Sequence, residues 1–428
     1  MHTKILFASL GSRGDIEPFL AQAEIFSEAG HEVICLFPEQ FRETVSQLGY
    51  QFIGFDPRFL ELLSSQSGKV IMGGGGSSWN QFTNFFKLAK SSLSLQRLLI
   101  DQQRNALKTY NPDSVIFHAK CVYYSIAAMA EPNRFTFLTP LPCLTHPSGD
   151  FPHMGLAKWK PFSSKWNLKS YDLVNGVRYF TIKKFVGKYY SDFPSLKINS
   201  KTHKEFELTR LQTIYTISPS LFPKPNTWPT SAHLVGYYFR NQHKEYQPSA
   251  ELKEWLANYP KAILITFGSM SNPNPKEYSK TIIDLLQKYN IPSIVNTSWG
   301  GLEKVEHSND SIFYVNQIPY DWILPQLYGI IHHGGSGTTH QGAAHGCVQL
   351  IVPHIVDQFF WNRIIEKRGL GPLGTSIHNL DAGEFEIALK DFWINSTYPQ
   401  NAQQIATRIK TETERETVLN LVLHTNSN

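Results

Sequence analysis

The sequence predicts an α/β protein built from two domains, each containing a parallel sheet. At 428 residues the chain is too long for one ordinary hydrophobic core, and it suggests two domains of about 200 residues each. Both halves open in the same way, with an apolar strand that leads through a glycine turn into a helix, at residues 4–11 and again at 261–268. This βα pattern is typical of Rossmann-like domains, which bind ligands at the carboxyl ends of their strands. We therefore predict two Rossmann-like domains that face each other across a cleft.

The first predicted domain covers residues 1–225. Its opening strand leads through GSRGD into a helix from about residue 17 to 29, and a second strand follows at 31–37. Further short apolar runs predict strands at residues 50–55, 114–117, 135–139 and 213–217.

Residues 226–245, which follow a proline-rich passage, are predicted to link the two domains. The second domain, 246–400, is expected to begin with a strand at 261–267 and a helix from about 275 to 289. Its later strands are predicted at 293–297, 312–315, 329–331 and 348–352. Helical periodicity in the remaining residues predicts a separate C-terminal helix within 401–428.

Composition and short motifs argue against nucleic-acid binding, metal binding, secretion and a membrane-spanning helix. The net charge of +5 is too small to indicate nucleic-acid binding by itself. Cys35, Cys121, Cys143 and Cys347 lack metal-binding spacing, so we expect reduced thiols and a cytoplasmic protein. The chain starts directly with a strand and has no apolar run long enough to span a bilayer, which argues against a signal peptide or membrane helix. It also has no Asp-x-Asp motif, so no metal and no cofactor are predicted.

The most informative stretch is YGIIHHGGSGTTHQGAAHGCVQLIVPHIVDQFFWN, residues 328–362. A buried strand at 329–331 leads through a glycine turn into a helix at 338–345, and a second strand ends at Pro353. The first N–H groups of a helix are unpaired and carry the positive end of the helix dipole. A strand, a glycine turn and a helix start therefore predict an anion-binding site.

Polar side chains near this turn indicate which anion it binds. Ser336 and Thr338 add hydroxyl donors at the turn, while Asp357 and Gln358 follow the next strand and suit sugar hydroxyls. A ligand with a phosphate end and a polyol end is a nucleotide sugar. The alternative is an ordinary glycine-rich turn of a Rossmann-like protein, with a capping serine.

At these residues the chain resembles the nucleotide-sugar glycosyltransferases of the two-domain GT-B fold, in the UDP-glycosyltransferase superfamily. The shared features are PYDWILPQ before the strand, HHGGSGTT at the turn and VDQFFWNR after the next strand. The resemblance is greatest to sterol glucosyltransferases and their bacterial relatives, the glycopeptide-antibiotic and rhamnolipid enzymes. It implies that the C-terminal helix packs back on the first domain.

The resemblance also implies a donor site. His333 is expected to contact the diphosphate, Asp357 and Gln358 to bind the transferred sugar, and Gln341 to bond the ribose. Gln317 stands where plant relatives place a Trp that stacks on the nucleoside, so it departs from that pattern. Gln341 stands where many relatives carry a ribose-binding Glu, and this departure leaves UDP and dTDP donors both open. The helix terminus and His333 would supply the positive field that a metal supplies elsewhere. The complete predicted donor set is Arg13, Gly268, Ser269, Gln317, Ile318, His333, Gly335, Ser336, Gly337, Thr338, Gln341, Asp357 and Gln358.

Glycosyl transfer requires a base that takes a proton from the acceptor hydroxyl. Asp15 lies in the loop after the first strand, where the sterol and antibiotic branch also reads G-S/T-R-G-D, and it is the predicted base. The alternative is that Asp15 is the N-cap of a helix beginning at Ile16. His118 ends a later strand, where relatives with a catalytic histidine carry its orienting Asp. Two further hypotheses follow: His118 is the base and Asp15 orients it, or His118 only completes the strand end.

An Asp base is weak near neutral pH, so we expect an apolar acceptor to desolvate Asp15 and raise its pKa. Candidate acceptor-binding residues are His146, Phe151, Trp79 and Met72. Residues 158–190 mix basic and aromatic side chains. This pattern favours a lid over an apolar acceptor, peripheral contact with an anionic membrane, or ordinary amphipathic helices with a solvated basic face.

The predicted function is an inverting, metal-independent glycosyltransferase. It would move a hexose, most simply glucose, from a UDP- or dTDP-sugar to a hydroxyl of a sterol, polyphenol or lipid. Inversion follows from a single base with no second nucleophile in view. The alternatives are a non-catalytic nucleotide-sugar-binding subunit, a rhamnosyltransferase acting on a hydroxy-fatty-acid lipid, an NAD-dependent oxidoreductase and a sugar-nucleotide epimerase.

Overall fold

The computed structural model describes residues 2–58, 93–240, 246–268, 270, 272, 274–297, 301–412 and 415–423. Contacts among these residues separate them into two compact units. Unit 1 contains the described residues up to Tyr238 and those from Glu412 onward, and unit 2 contains those from Phe239 to Thr411. The predicted residues Met72, Trp79 and Ser269 lie outside the described part of the chain.

Unit 1 contains a seven-stranded parallel sheet in the order β3-β2-β1-β4-β5-β6-β7. Its strands are β1 (Lys4–Ala8), β2 (Glu32–Pro38), β3 (Gln51–Phe55), β4 (Ser114–Phe117), β5 (Phe135–Thr139), β6 (Thr213–Tyr215) and β7 (Ala232–Leu234). The strand order reverses between β1 and β4, so the carboxyl ends of these two strands border the crevice in which such sheets bind ligands. Strand β7 lies within residues 226–245, which were predicted to link the two domains.

The helices of the first part of unit 1 are α1 (Arg13–Glu28), α2 (Arg42–Gln47), α3 (Leu93–Tyr110), α4 (Val122–Ala130), α5 (Ser164–Val186) and α6 (Ser200–Thr209). The sheet separates two buried clusters. On one face Phe7 packs with Phe19 and Phe26 of α1, and on the other Phe117 packs with Tyr124 of α4. Strands apolar on both faces appear in a sequence as continuous hydrophobic runs, which is why the sequence predicted a parallel sheet.

Unit 2 contains a five-stranded parallel sheet in the order β10-β9-β8-β11-β12. Its strands are β8 (Ile263–Thr266), β9 (Ser293–Asn296), β10 (Ile312–Val315), β11 (Gly329–His332) and β12 (Val348–Ile351). Its helices are α7 (Ala250–Asn258), α8 (Pro275–Lys288), α9 (Tyr320–Ile323), α10 (Ser336–Ala344), α11 (Asp357–Lys367), α12 (Ala382–Ile394) and α13 (Thr397–Glu412), the last residue of which belongs to unit 1. The strand order reverses between β8 and β11, which places the second binding crevice at their carboxyl ends.

The last described helix, α14 (Arg415–Leu423), belongs to unit 1. Val418 and Val422 join the buried cluster that contains Phe19, and Gln212 donates a hydrogen bond to the backbone oxygen of Leu421 over 2.6 Å. Both units are thus parallel-sheet α/β structures, which confirms the predicted fold class. In the described ranges, no helix combines the length and apolar character needed to cross a bilayer.

Candidate functional site

The turn after β1 brings a carboxylate to the crevice end of the unit 1 sheet. The expectation that Asp15 is an N-cap residue is wrong, because α1 begins at Arg13 and Ser12 is its N-cap. Asp15 is the third residue of the helix, and its Oδ2 accepts a hydrogen bond from the backbone N–H of Ser12 over 2.9 Å. This bond satisfies one of the unpaired donors at the helix start and fixes the carboxylate at the strand end.

Gly11 allows this carboxylate to lie close to the backbone. Its φ of +151° is rarely adopted by residues with a side chain. A Cβ on Gly11 would overlap the carboxylate of Asp15 and lie 2.7 Å from Nζ of Lys120. The backbone conformation at Gly11 and the packing of two charged side chains around it therefore favour glycine at this position.

Asp15 is the centre of a group of three titratable residues. Nζ of Lys120 lies 3.1 Å from both carboxylate oxygens, and Nε2 of His118 lies 3.5 Å from Oδ1. His118 and Lys120 follow β4, the strand that pairs with β1. Lys120 was not predicted from the sequence, although its place just after the end of a strand beside β1 was an available signal.

The charges around Asp15 decide the direction in which its pKa is shifted. Burial would raise the pKa of Asp15, but the Lys120 charge, His118 and the Ser12 N–H outweigh it and hold that pKa below its ordinary value. The expectation that a bound apolar acceptor raises this pKa stays a prediction. Burial lowers the pKa of His118 to about 4, and Asp15 opposes this only in part. At neutral pH Asp15 is therefore a carboxylate and His118 an uncharged imidazole.

Exposure distinguishes Asp15 from His118. The Asp15 side chain is 22% exposed, whereas the His118 side chain is 4% exposed. Nδ1 of His118 is buried and has no hydrogen-bond partner among the described residues. Of the two candidate bases, Asp15 is the one whose atoms a ligand can reach directly.

The turn after β11 forms the corresponding feature of unit 2. Here α10 begins at Ser336 with Gly335 as its N-cap, two residues before the predicted start. Thr339 donates its backbone N–H to the oxygen of Gly335 over 2.9 Å, which is the first bond of the helix. The N–H groups of Gly337 and Thr338 lie in the first turn of this helix, before that bond, where an anion-binding site is expected.

A chain of hydrogen bonds holds this turn in place. The backbone N–H of Gly334 donates to Nδ1 of His332 over 3.1 Å, and Nε2 of His332 bonds Oε1 of Gln349 over 2.9 Å. Gln349 in turn donates to the backbone oxygen of Thr339 over 3.1 Å. His332 must therefore carry its proton on Nε2, and its role is to position the turn. The positioning role of His332, as distinct from the role of His333, was not predicted from the sequence. The contribution of Gln349 was not predicted either.

His333 is packed between two glycines. A Cβ on Gly335 would lie 2.5 Å from Nε2 of His333, and one on Gly268 would lie 3.0 Å from its Cε1. Nδ1 of His333 is buried without a hydrogen-bond partner among the described residues. Burial lowers the pKa of His333 to about 4, so the ring is uncharged near neutral pH. The expectation that His333 supplies positive charge is therefore wrong, and an uncharged ring offers an N–H donor instead.

Gln341 places a buried side-chain oxygen on this helix. Its Oε1 is buried and has no partner in the part of the chain that the structure describes. Gln341 lies three and four residues after Thr338 and Gly337, so the three share one face of α10. This placement is compatible with the expected bond to a ribose.

Two sequence profiles match the two halves of the chain. The Glycosyltransferase family 28 N-terminal domain matches residues 5–129, which include the group around Asp15, and the C-terminal domain of Erythromycin biosynthesis protein CIII-like proteins matches residues 280–422, which include α10. A sterol 3-beta-glucosyltransferase of Arabidopsis thaliana is 29% identical over 96% of this chain and 66% of its own length.

Among solved structures, the calicheamicin glycosyltransferase CalG4 has a TM-score of 0.69 at 16% identity and covers 100% of this chain and 99% of its own. The Streptomyces sp. SF2575 glycosyltransferase SsfS6, complexed with thymidine diphosphate, has a TM-score of 0.64 at 17% identity and covers 99% and 100%. The chain has the GT-B fold of these glycosyltransferases. It spans about two thirds of the length of the Arabidopsis relative, 66%.

In this GT-B chain the predicted sugar-binding pair lies at the start of α11. Gln358 accepts hydrogen bonds through Oε1 from the backbone N–H groups of His354, over 2.7 Å, and Ile355, over 3.0 Å. Its oxygen is therefore committed to the loop that leads into Asp357. The residue before Asp357, Val356, has a φ of +33°, a strained conformation for a β-branched residue.

The remaining donor predictions fall in different environments within the GT-B domains. Arg13 is 62% exposed and pairs with Glu17 over 3.2 Å. Gln317 is exposed, but the side chain of Ile318 is 6% exposed and belongs to a core cluster, so only its backbone is available to a nucleoside. These assignments stay predictions.

The described acceptor candidates are both interior residues of unit 1. Nδ1 of His146 lies 2.7 Å from the hydroxyl of Tyr215, its ring packs 5.5 Å from that of Trp228, and burial lowers its pKa to about 4. Phe151 is 5% exposed, and its ring centre lies 6.4 Å from that of Phe222. Their role in acceptor binding stays a prediction. Within the described ranges, no three His, Cys, Asp or Glu residues are grouped as metal ligands.

Proposed function

We propose that this protein is a glycosyltransferase that moves a hexose from a nucleoside diphosphate to a hydroxyl of a lipophilic, sterol-like acceptor. One observation carries the proposal: the open start of α10 lies beside His333, an uncharged histidine with an uncommitted buried nitrogen. The backbone N–H groups of Gly337 and Thr338 and a neutral N–H donor suit a diphosphate. The similarity to a sterol 3-beta-glucosyltransferase along 96% of the chain supports both the activity and the acceptor class.

The proposed donor is UDP-glucose, with a dTDP-sugar as the alternative. Glucose is supported by the name of the Arabidopsis relative, and a diphosphate nucleoside by the thymidine diphosphate in the SsfS6 structure. Gln341, on the ligand-facing side of α10, bonds a ribose hydroxyl through its uncommitted oxygen. Asp357 accepts hydrogen bonds from the sugar, and Gln358 donates its NH₂ because its oxygen already holds the loop.

The proposed reaction is a single displacement. Asp15 takes the proton of the acceptor hydroxyl as the acceptor oxygen bonds to C1 of the sugar, and the bond from C1 to the diphosphate oxygen breaks with its electron pair on that oxygen. Attack opposite the leaving group inverts the configuration at C1. The α10 N–H groups and the His333 N–H stabilise the growing charge on the diphosphate. His118 positions Asp15, since its side chain is too buried to meet the acceptor.

We also propose that the enzyme works without a metal ion and in the cytoplasm. The helix start and His333 already provide the donors that a leaving diphosphate needs. Cys35, Cys121, Cys143 and Cys347 are all buried free thiols, which suits a reducing compartment.

A donor-by-acceptor panel read by mass spectrometry tests the proposal. UDP-glucose and dTDP-glucose are offered with sterols, polyphenols and hydroxy-fatty-acid lipids, and a mass gain of one hexose on a sterol is expected. NMR of the product should show inverted configuration at C1, and EDTA should leave the rate unchanged. Binding of UDP without transfer to any acceptor would instead identify a non-catalytic subunit.

A further inference from the structure

Helix α5 is apolar on two opposite sides. Its core side carries Tyr171, Tyr179, Ile182 and Val186, all buried. Its other side carries Trp166, Leu173, Val177 and Phe180, each between 57% and 64% exposed, and we call these four residues the apolar stripe. Their spacing of seven, four and three residues keeps them on one side of a helix with 3.6 residues per turn. Solvent-facing residues of a helix are ordinarily polar, so the stripe calls for a partner.

The core side of α5 prevents the helix from turning the stripe inward. Nη1 of Arg178 forms an ion pair with Oε2 of the buried Glu207 over 2.9 Å, and the hydroxyl of Tyr179 bonds the same carboxylate. Asn167 donates to the backbone oxygen of Gly149 over 2.8 Å. Rotation of the helix would leave the buried carboxylate of Glu207 without these partners, which is strongly destabilising. The stripe is therefore held toward solvent.

The segment before α5 extends the same surface. Trp159 and Phe162 are 65% and 79% exposed. The backbone N–H of Phe162 donates to Oδ1 of Asn167 over 3.1 Å, which ties this segment to the helix. The stripe alone, from Trp166 to Phe180, is about 20 Å long at the helical rise per residue.

Exposed lysines flank the stripe: Lys158, Lys160, Lys165, Lys169, Lys183 and Lys184. Nζ of Lys169 lies 4.6 Å from the ring centre of Trp166, and Nζ of Lys184 lies 4.7 Å from that of Phe180. The only acidic residue of α5, Asp172, is paired with Lys204 over 2.9 Å. The surface is therefore apolar along its centre, with positive charge along one side and at its ends.

We propose that the apolar stripe and its flanking lysines form a docking surface for an anionic lipid bilayer, with α5 lying in the plane of the interface. Helices that bind in this way carry Trp, Phe and Leu toward the acyl chains and Lys toward the headgroups. Anionic lipids complement the lysines, and Trp favours the level of the headgroups. A second copy of the chain fits less well, because pairing of two stripes would bring like charges together. The inference goes beyond the proposed transfer reaction and does not depend on it.

Sedimentation of the full chain with vesicles tests this proposal. The protein should bind vesicles of phosphatidylcholine with phosphatidylglycerol, bind those of phosphatidylcholine alone much more weakly, and be released at high salt. The variant with Leu173→Ser, Val177→Ser and Phe180→Ser should lose binding to both. A matched control is Ile387→Ser with Ile394→Ser, two residues that are 71% and 74% exposed in unit 2, and it should bind as the parent does.

The lysines provide a second, independent variant. Each lysine close to an anionic surface strengthens binding about fivefold, so Lys169→Gln with Lys184→Gln should weaken binding about twenty-five-fold. Lys253→Gln with Lys276→Gln, two exposed lysines of unit 2, is the control. All of the substituted side chains are exposed, so the variants should keep the parent's far-UV circular dichroism and its affinity for UDP.

Three results would overturn the proposal. The first is no binding to anionic vesicles, and the second is binding that the serine variant leaves unchanged. The third is a dimer in analytical ultracentrifugation that the serine variant converts to monomer, which would assign the stripe to a second copy. If the serine variant lost transfer to a soluble acceptor while the parent did not bind vesicles, the stripe would be an acceptor lid. Failure of the transfer reaction itself would leave the vesicle result unaffected.

Discussion

The turn after β1 and the turn after β11 occupy the same position in their sheets but differ in chemistry. Each turn follows one of the two strands between which the strand order of its own sheet reverses. Each turn leads into a helix that begins at the carboxyl end of that strand. The first turn carries charges, with Asp15 held by Lys120 beside His118. The second turn has no counterpart of these charged side chains, and it presents backbone N–H groups and an uncharged His333. One scaffold thus supports either a base or an anion site, depending on a few side chains.

Under the proposed function, the two turns have different tasks. A group that accepts a proton must itself be ionised and reachable, as Asp15 is. A group that binds a leaving diphosphate has only to present donors that are already oriented, and it need not carry charge. The five predictions below test this division, from the largest expected effect to the smallest.

Asp15→Asn should reduce the rate of transfer by about a thousandfold or more, because a positioned general base contributes about that factor. Affinity for UDP, measured by calorimetry, should stay unchanged. Glu17→Gln, which removes a carboxylate from the same helix, is the control and should retain the parent rate. A fully active Asp15→Asn enzyme would remove the charged turn from the mechanism and contradict the division of tasks.

Acid should destabilise the protein through its buried, uncharged histidines before it protonates Asp15. Burial lowers the pKa of His332 to about 3 and that of His340 to about 4, against an ordinary value of 6.5. A histidine with a lowered pKa binds fewer protons when folded, so protonation favours unfolding as pH falls from 6.5 toward 4. Each such histidine contributes on the order of 3 kcal/mol over this range.

Asp15 behaves differently, because the stability from its lowered pKa is lost only as pH falls below its ordinary value of 3.8. Urea unfolding at a series of pH values, followed by tryptophan fluorescence, measures the sum of these effects. The free energy of unfolding should decline steadily below pH 6.5, the ordinary pKa of histidine. A flat profile down to about pH 4 would contradict the assignment of uncharged, buried histidines.

His333→Ala should weaken UDP binding by about tenfold to a hundredfold, the value of one hydrogen bond to a charged group. His333→Gln keeps an N–H donor and should recover part of the affinity. His307→Ala changes a histidine outside the turn and is the control. Equal affinity of the His333→Ala variant and the parent in calorimetry would exclude a diphosphate contact at this residue.

Lys120→Met should shift the acid side of the kcat/KM profile to higher pH. Lys120 is the largest influence that lowers the pKa of Asp15, so its removal raises that pKa, and activity is lost earlier on acidification. Near neutral pH the change should be less than about tenfold, since Asp15 stays ionised there. Lys120→Arg keeps the charge and should keep the parent profile. A purely structural role would lower kcat/KM without moving the inflection.

Val356→Gly should stabilise the protein by about 1 kcal/mol, because glycine adopts the φ of +33° without the strain that valine bears. Val356→Ala retains a Cβ and should give little or no gain. Thermal unfolding of the two variants side by side measures the difference. Identical melting temperatures would mean that the backbone just before Asp357 is unstrained.

Much of the second turn was predictable because its residues are contiguous. The run from Gly329 to Thr338 contains its own strand, glycines and helix start, so periodicity and turn chemistry were sufficient. Its helix begins two residues earlier than predicted, since Gly335 and not a serine is the N-cap. The separate roles of His332 and His333 were not predictable, because they depend on Gln349 in the next strand.

The first turn and helix α5 were predictable only in part. GSRGD marked Asp15, but Lys120 lies 105 residues away and reaches the carboxylate only through the pairing of β1 with β4. For α5, sequence composition left a solvated basic face as one alternative. Only the buried contacts of Arg178 and Tyr179 show which side of the helix faces solvent, and that side is apolar.

The sequence alone determined the α/β class, the βα turns and the resemblance to GT-B glycosyltransferases, because apolar periodicity and glycine turns act over a few neighbouring residues. The tertiary structure decided the ionisation of Asp15, the neutrality of His333 and the outward direction of the apolar stripe. These properties depend on burial and on charges brought together from distant parts of the chain. No local pattern contains them.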